Sequence, residues 1–412
     1  MRNILIRGIN KAAKKITECY DKTQYSIQVK SGNVVVTDII PPEEAGKKIS
    51  VFKPATAETF KYPRVYNFIK DASFEIEYPE IALWKFNNAT VFNDSDFVIT
   101  EEGKAVWPKY FYYNYAKNII VDKNFVKEEN GRISYYKPQN PIEVDTAFSL
   151  IGVFSHIWAH VIVEYYPKLA VLKDAIADSP KRITVLVPEI KDPQTHQIVY
   201  EQLGKYDVDI LVVPHRASVK VKTLYFMERP TRFTDHEEFL NPGDMAVPKA
   251  TVDYLRSMLV LPKTQNIIKD PQYSKVFLPR RGGLGKGLIN TDEVEDYFKQ
   301  KGFYFVEPHK LPLEEKIKIF NSADIIVGPL GSAFTNLMFC RPGTKVMMFS
   351  NYQRIFENYI SIQIQYAQAD IMYVTGIDDK QTNNLSHCSF YLPLEKIVWA
   401  GTEHGIFEKK EK

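Results

Sequence analysis

The stretch from Val276 to Ser350 constrains the fold more than any other part of the chain. It opens with VFLP, two arginines and a glycine-rich turn, and runs through LINTDEVEDYF to IVGPLGSAFTNLMF and PGTKVMMFS. Short apolar runs alternating with amphipathic helical segments read as a parallel sheet with helices on its faces. In such sheets ligands bind beyond the carboxyl ends of the strands, where helix N-termini direct N–H groups and partial positive charge outward. Arg280 and Arg281 follow KVFLP directly, and guanidinium groups match phosphate oxygens in bidentate geometry. In GPLGSAFTN, Gly328 and Gly331 permit a tight turn and Ser332 adds no bulk at the start of the next helix. Gly331, Ser332, Ala333, Thr335 and Asn336 therefore form a candidate phosphate cradle, and a diphosphate-bearing ligand is the first expectation.

Each of these residues also has a plainer reading. The arginines can pair with carboxylates, and the GPLGS turn can be a close-packed connection without a ligand. GGLGKG, which holds Lys286, matches neither the P-loop spacing nor a dinucleotide fingerprint. Asn290 with Thr291 and Asp292 is most simply a helix N-cap cluster, although Asn290 can also steady the arginine-bearing loop. Glu307, just after FYFVEP, stands where it can rim a cleft and meet the base or ribose of a nucleotide.

The chain has 412 residues, enough for two domains with a cleft between them. From about residue 25 to 140 the pattern is strand-like, as in GNVVVTDII, ATVFNDSDFVIT and KYFYYNYAKNII. Helical spacing begins at Ala147, in AFSLIGVFSHIWAHVIVEYYPKLAVLKDAIADSP, and is followed by the buried strands RITVLVPEI, DVDILVVPH and KTLYFME. We therefore expect an α/β chain with an N-terminal domain over 1–240, β-rich at 25–140 and α/β at 147–240. A linker near Asn241 leads to a C-terminal domain over 241–390, and Pro248 marks the start of its first helix. The tail, 391–412, carries an apolar stripe with Ile397, Val398 and Trp399 and is expected to return as a helix across the domain junction.

In the first half, SHIWAHVIVEYYPKL places His156, His160 and Glu164 at i, i+4 and i+8, on one face of a helix. Imidazole titrates near neutrality and a buried carboxylate can orient it, so His160 and Glu164 are candidates for a general base and its partner, in either order. His156 reads better as a satisfied core histidine. The three residues could also ligate zinc, but the run is not HExxH and no further ligand motif accompanies it; no metal is expected.

Composition narrows the partners. Lys and Arg number 53 against 50 Asp and Glu, a net charge of +3 without long runs, so nucleic acid is not an expected partner. Three cysteines without CxxC spacing suggest neither a disulfide framework nor a zinc site, which fits a reducing, cytoplasmic setting. No apolar run approaches the roughly 18 residues of a spanning helix, and the N-terminus lacks the features of a signal peptide. Residues 1–22 can be drawn as a basic amphipathic helix, either touching an anionic membrane or packed on the domain.

Together the motifs resemble the family 61 glycosyltransferases, which include bacterial capsule and polysaccharide enzymes. The resemblance covers about Ile151 to Ser350: HVIVEYYPKL, a VPHR strand end, the strand ending in two arginines, an Asn before acidic residues and a helix, LPLEEKIKIFNSADIIVG, the GPLGSAFTN turn and PGTKV. It implies a GT-B-like architecture, two Rossmann-like domains facing a cleft, with a nucleotide-sugar donor in the C-terminal domain and a glycan or polysaccharide acceptor on the N-terminal side. It further implies inverting transfer in which protein cations and a helix dipole stand where other transferases use a divalent metal, with a UDP-sugar as the expected donor and no cofactor. Arg280, Arg281, Lys286, Asn290, Glu307 and the Gly331–Asn336 turn would then contact the donor, and Glu164 or His160 would be the base. The chain departs from the family pattern in three places: Leu330 stands where a His is usual; Val161 stands where an aromatic follows the motif His and Lys168 where an Arg follows the Pro; and Lys286, the basic residue ahead of Asn290, is separated from it by Gly287 and Leu288 and matches loosely. Leu330 keeps one rival open, a non-catalytic nucleotide-sugar or glycan binding member; a GT-B-shaped sugar-nucleotide epimerase, which would share the donor site, is another.

Overall fold

A computed structural model describes residues 32–61, 64–93, 95–106, 125–129, 131–233, 245–280, 287–351, 369–378 and 389–408. The basic segment 1–22, the aromatic run KYFYYNYAKNII, the boundary near Asn241, and Arg281 and Lys286 lie outside the described residues. Along the chain come β1 (Val34–Ile40), β2 (Arg64–Val65), β3 (Ile81–Phe92) and β4 (Ile142–Ser149). The helical segment α1 (158–178) then leads to β5 (Thr184–Pro188), α2 (Pro193–Leu203), β6 (Asp209–Val213) and β7 (Ser218–Met227). Beyond the linker are α3 (249–264), β8 (Lys275–Phe277), α4 (Thr291–Gln300), β9 (Tyr304–Phe305), α5 (Leu313–Ser322) and β10 (Ile325–Pro329). A 3₁₀ helix, Ser332–Phe339, precedes β11 (Lys345–Ser350), β12 (Asp370–Thr375) and α6 (Leu394–Glu403).

The architecture is mixed α/β, built around two large sheets. In the first, β6, β5, β4 and β7 lie side by side and parallel, and β3 joins β7 antiparallel in a register from Phe92 against Ser218 to Leu83 against Met227. The β-rich opening segment and the α/β segment thus share one sheet. Beyond β3 the sheet continues through short strands to β1, and Ile40, Val91, Val98 and Val106 close on Ala147, Leu186, Val213 and Val219 to cover one face. Ala147 does not begin a helix. Residues 147–149 end β4, between β5 and β7, because an apolar run buried on both faces of a sheet has no period that distinguishes it from a buried helix.

The helix proper begins at Trp158 and changes pitch as it goes. It is α over Trp158–His160, a wide π turn over Val161–Tyr165, 3₁₀ over Tyr166–Val171 and α again over Leu172–Asp178. The cause is Pro167, whose ring would meet the carbonyl four residues back in a regular α-helix. The wide turn removes that clash, and α3 repeats the device with a π turn over Arg256–Val260 ahead of Pro262.

The second sheet runs β9-β8-β10-β11-β12-β2, with every neighbouring pair parallel. Its five C-terminal strands follow the doubly wound order 2-1-3-4-5, which reverses between β8 and β10. On one face α4 and α6 pack through Val294, Phe298, Ile397 and Ala400. The tail therefore covers this sheet instead of returning over the first; Ile397 is buried while Trp399 is exposed. Its link to the N-terminal part of the chain is through Arg64 of β2, which has itself joined the sheet and lies 2.7 Å from His404. The opposite face, with α5 and the 3₁₀ helix, shares one continuous apolar core with α1, α2 and the first sheet. No described helix is long and apolar enough to cross a membrane.

Candidate active site

Doubly wound sheets open a crevice where their strand order reverses, at the carboxyl ends of the flanking strands. In the second sheet those strands are β8 and β10, and they deliver the two features singled out from the sequence. Arg280, three residues past β8, donates through Nη1 to the Leu330 carbonyl just past β10. A Cβ on Gly331 would stand 2.9 Å from that same Nη1, so the glycine is needed for space, its own backbone being extended. Gly328 is needed for a different reason: a Cβ there would collide with the Leu278 carbonyl oxygen of the neighbouring chain segment. The 3₁₀ helix then opens at exposed Ser332, with Ala333 half-buried. Thr335 Oγ1 and Asn336 Oδ1 lie buried below this turn without hydrogen-bond partners among the described residues, while Asn336 Nδ2 donates to the Ala333 carbonyl at 2.8 Å.

Asn290 and Glu307, the other donor-side candidates among the described residues, have side-chain partners of their own. Asn290 Nδ2 donates to Glu293 Oε2 at 2.7 Å and to the Leu392 carbonyl at 2.9 Å, and its Oδ1 accepts the Leu392 N–H at 3.1 Å. It makes no side-chain cap bond to its own helix and instead ties α4 to the segment entering α6, which explains its conformation without a ligand. Glu307, beyond the edge strand β9, forms an ion pair with Lys310 at 2.9 Å. Leu330 turns its side chain into the shared core and contributes only its backbone to the turn.

On the first sheet, His160 and Glu164 meet as the spacing indicated, His160 Nδ1 lying 3.0 Å from Glu164 Oε1. The histidine is 19% exposed and packs at a tilt against Phe154, ring centroids 4.7 Å apart, while Glu164 is wholly buried. His156 is not on this helix; it lies exposed in the turn before Trp158. The second oxygen of Glu164 receives Arg229 Nη1 at 2.8 Å, and Arg229 Nη2 lies 2.8 Å from Asp96 Oδ2, out of line for a hydrogen bond. Sequence reasoning missed Arg229 and Asp96. Arg229 carried a usable signal, since it follows β7 as Arg280 follows β8; Asp96, in the turn after β3, carried none.

Burial acts on the two carboxyls alike, but their neighbours differ. Burial pushes Asp96 above the usual carboxylate range, and Arg229 and Lys168 only partly offset it. Burial also pushes Glu164 upward, but His160 and Arg229 together outweigh it and hold the group below its ordinary value, so it is ionised beside the imidazole. Lys168, buried between the rings of Tyr165 and Phe226 at 5.1 Å from each, is driven down to about 8.

The two clusters adjoin. The first turn of α1, which carries His160, packs against the 3₁₀ helix that opens at Ser332, and Trp158 in that turn lies under Lys316 of α5, Nζ 3.9 Å from the ring centroid. Residues 158–347 match the sequence model of the family Glycosyltransferase 61. Over this stretch the chain is similar to the family 61 glycosyltransferases. The match begins at the turn that presents His160 and ends within β11, so the matched stretch contains His160, Glu164, Arg229, Arg280 and the Gly331 turn, leaving Asp96 outside. No curated protein matches the chain.

Proposed function

We propose that this chain is a family 61 glycosyltransferase and transfers a sugar with inversion from a nucleotide-sugar, a UDP-sugar first among them, to a hydroxyl of a glycan or polysaccharide such as a capsule. In this reading the two sheets correspond to the two halves of a GT-B arrangement. The observation that carries the proposal is the contact between the helix bearing the His160–Glu164 pair and the helix that opens beneath Arg280. With its Nδ1–H donated in a hydrogen bond to the Glu164 carboxylate, His160 has its lone pair on Nε2 and takes the proton of the acceptor hydroxyl. The oxygen attacks the anomeric carbon, and the bond to the diphosphate breaks with its electron pair passing to the leaving oxygen. Arg280 and the opening N–H groups of the 3₁₀ helix meet that charge, which grows toward the transition state and so contributes to rate as well as binding. Protein cations and a helix terminus then do the work for which other transferases use a divalent ion. Of the two candidate bases the arrangement favours His160, since both oxygens of Glu164 are engaged and shielded from solvent.

The test is a thermal-shift screen against nucleoside diphosphates with and without Mg²⁺, run beside Arg280→Ala. A ligand that binds only the folded state raises its stability by mass action. Stabilisation by one nucleoside diphosphate without metal, lost in the variant, is the expected result. Stabilisation only with Mg²⁺ removes metal independence, and no shift with any nucleotide replaces transfer by the non-catalytic reading. Conversion of a bound donor without an acceptor would point to epimerisation.

A further inference from the structure

The side chain that holds Glu164 toward His160 comes from outside the helix. Arg229 emerges two residues beyond β7 and is buried, with 2% of its side chain exposed. Its guanidinium lies between two carboxylates, Nη1 at 2.8 Å from Glu164 Oε2 and Nη2 at 2.8 Å from Asp96 Oδ2. Asp96 is fixed in turn: its Oδ1 accepts the Val153 N–H at 3.3 Å and lies 3.1 Å from the Tyr165 hydroxyl, which also sits 2.6 Å from the Val153 carbonyl. Gly152 closes this arrangement, because a Cβ there would stand 2.5 Å from both Asp96 Oδ1 and the Tyr165 hydroxyl.

We infer that Arg229 is a positioning residue for the His160–Glu164 pair, acting through Glu164, with Asp96 anchoring its guanidinium from the far side. This rests on the reading of His160 as the base. A glutamate has three side-chain torsions, and a carboxylate held at one oxygen alone can swing the other away. Here Arg229 takes Oε2, so Oε1 stays toward His160 Nδ1 and the imidazole is held in one tautomer. A pair serving only the stability of the fold needs one acid on the guanidinium; the second acid is the one that touches the imidazole.

The experiment uses the full chain with Arg229→Met, Arg229→Lys and Asp96→Asn. Ring ¹⁵N NMR reads the tautomer, with the His160 signal assigned by its loss in His160→Ala, alongside UDP binding and sugar turnover. In folded Arg229→Met the neutral His160 ring should average between tautomers and turnover should fall about 100-fold, the low end of what a positioned base contributes, with UDP affinity unchanged. Arg229→Lys should recover much of the tautomer bias. A folded Arg229→Met that keeps the proton on Nδ1 and keeps its turnover overturns the inference. If Arg229→Met does not fold, Asp96→Asn decides: partial averaging supports the anchor, and a wild-type ring with wild-type turnover overturns it. Should the wild type transfer no sugar, the NMR result still reads positioning, and only the transfer reading falls.

Discussion

Lys168 shows what the buried charges around Glu164 require of the fold. Burial drives its ammonium from 10.5 to about 8, against the pull of Asp96 and Glu164. Because the folded value is the lower, between pH 8 and 10.5 the unfolded chain holds a proton that the folded chain has released, and stability rises with pH across that window. Below pH 8 the group costs about 3 kcal/mol, from the fall between 10.5 and about 8. Lys168→Met should therefore raise stability at pH 7 by about 1–3 kcal/mol, with the advantage shrinking by pH 9.5, as read by urea unfolding at both values. A variant less stable at pH 7 would mean that the carboxylates depend on this charge. His160→Ala should lower turnover by about 10²–10⁴-fold while keeping the nucleotide-induced thermal shift; a retained turnover removes His160 as base. The His160–Glu164 pair was legible because i, i+4 spacing on a helix fixes a contact within one element. The contacts of Arg229 and Asp96 were not, since Arg229 reaches Glu164 across 65 residues from beyond β7, and Asp96 reaches Arg229 from the turn after β3.

At the scale of elements, two glycines three residues apart serve different ends. A Cβ on Gly328 meets backbone, the Leu278 carbonyl, so strands β8 and β10 must separate to admit it. A Cβ on Gly331 meets the far end of a flexible side chain, which can move. Gly328→Ala should lower stability by about 1–3 kcal/mol, as overpacking does, whereas Gly331→Ala should leave the melting temperature nearly unchanged and weaken nucleoside diphosphate binding by displacing Arg280. Calorimetry paired with nucleotide titration separates the two; equal losses of stability would show that the Arg280 contact supports the turn itself. The βα alternation from β8 to β11 was readable because these strands are short apolar runs between amphipathic helices. The start of α1 was not, because β4 and the helix are apolar throughout and only the turn at 150–157 divides them. Asn290 was ambiguous for a further reason: a residue ahead of a helix can cap it or bind a distant backbone, and Leu392, its partner, lies 102 residues away.

For the whole molecule, the sequence suggests two domains joined near residue 241, but the core does not divide there. One apolar cluster takes in Phe148, Val185 and Tyr225 of the first sheet with Val276, Ile326 and Val346 of the second. Polar contacts reinforce it, with Lys316 Nζ donating to Gln194 at 2.9 Å, Gln197 to Glu314 at 2.8 Å and Gln194 to the Leu311 carbonyl. The chain also crosses in the other direction, since β2 pairs with β12 and Arg64 reaches Asp370 at 2.9 Å. A linker signal records where the backbone is polar and turns, and it carries no information on which apolar faces meet afterwards. The consequence is cooperative. A fragment 241–412 would lose β2 from its sheet edge and expose the faces of α5 and the 3₁₀ helix that α1 and α2 cover, and apolar surface of that extent favours aggregation over a folded state. Fragments 1–240 and 241–412 should therefore be insoluble or unfolded when produced alone, and the full chain should unfold in a single calorimetric transition whose van't Hoff and calorimetric enthalpies agree. Two resolved transitions, or a soluble 241–412 fragment that still binds a nucleoside diphosphate, would instead show that the second sheet is complete without the first. In that event the approach of His160 to the Gly331 turn would be a docking of two independent bodies, and substrate would have to hold them together.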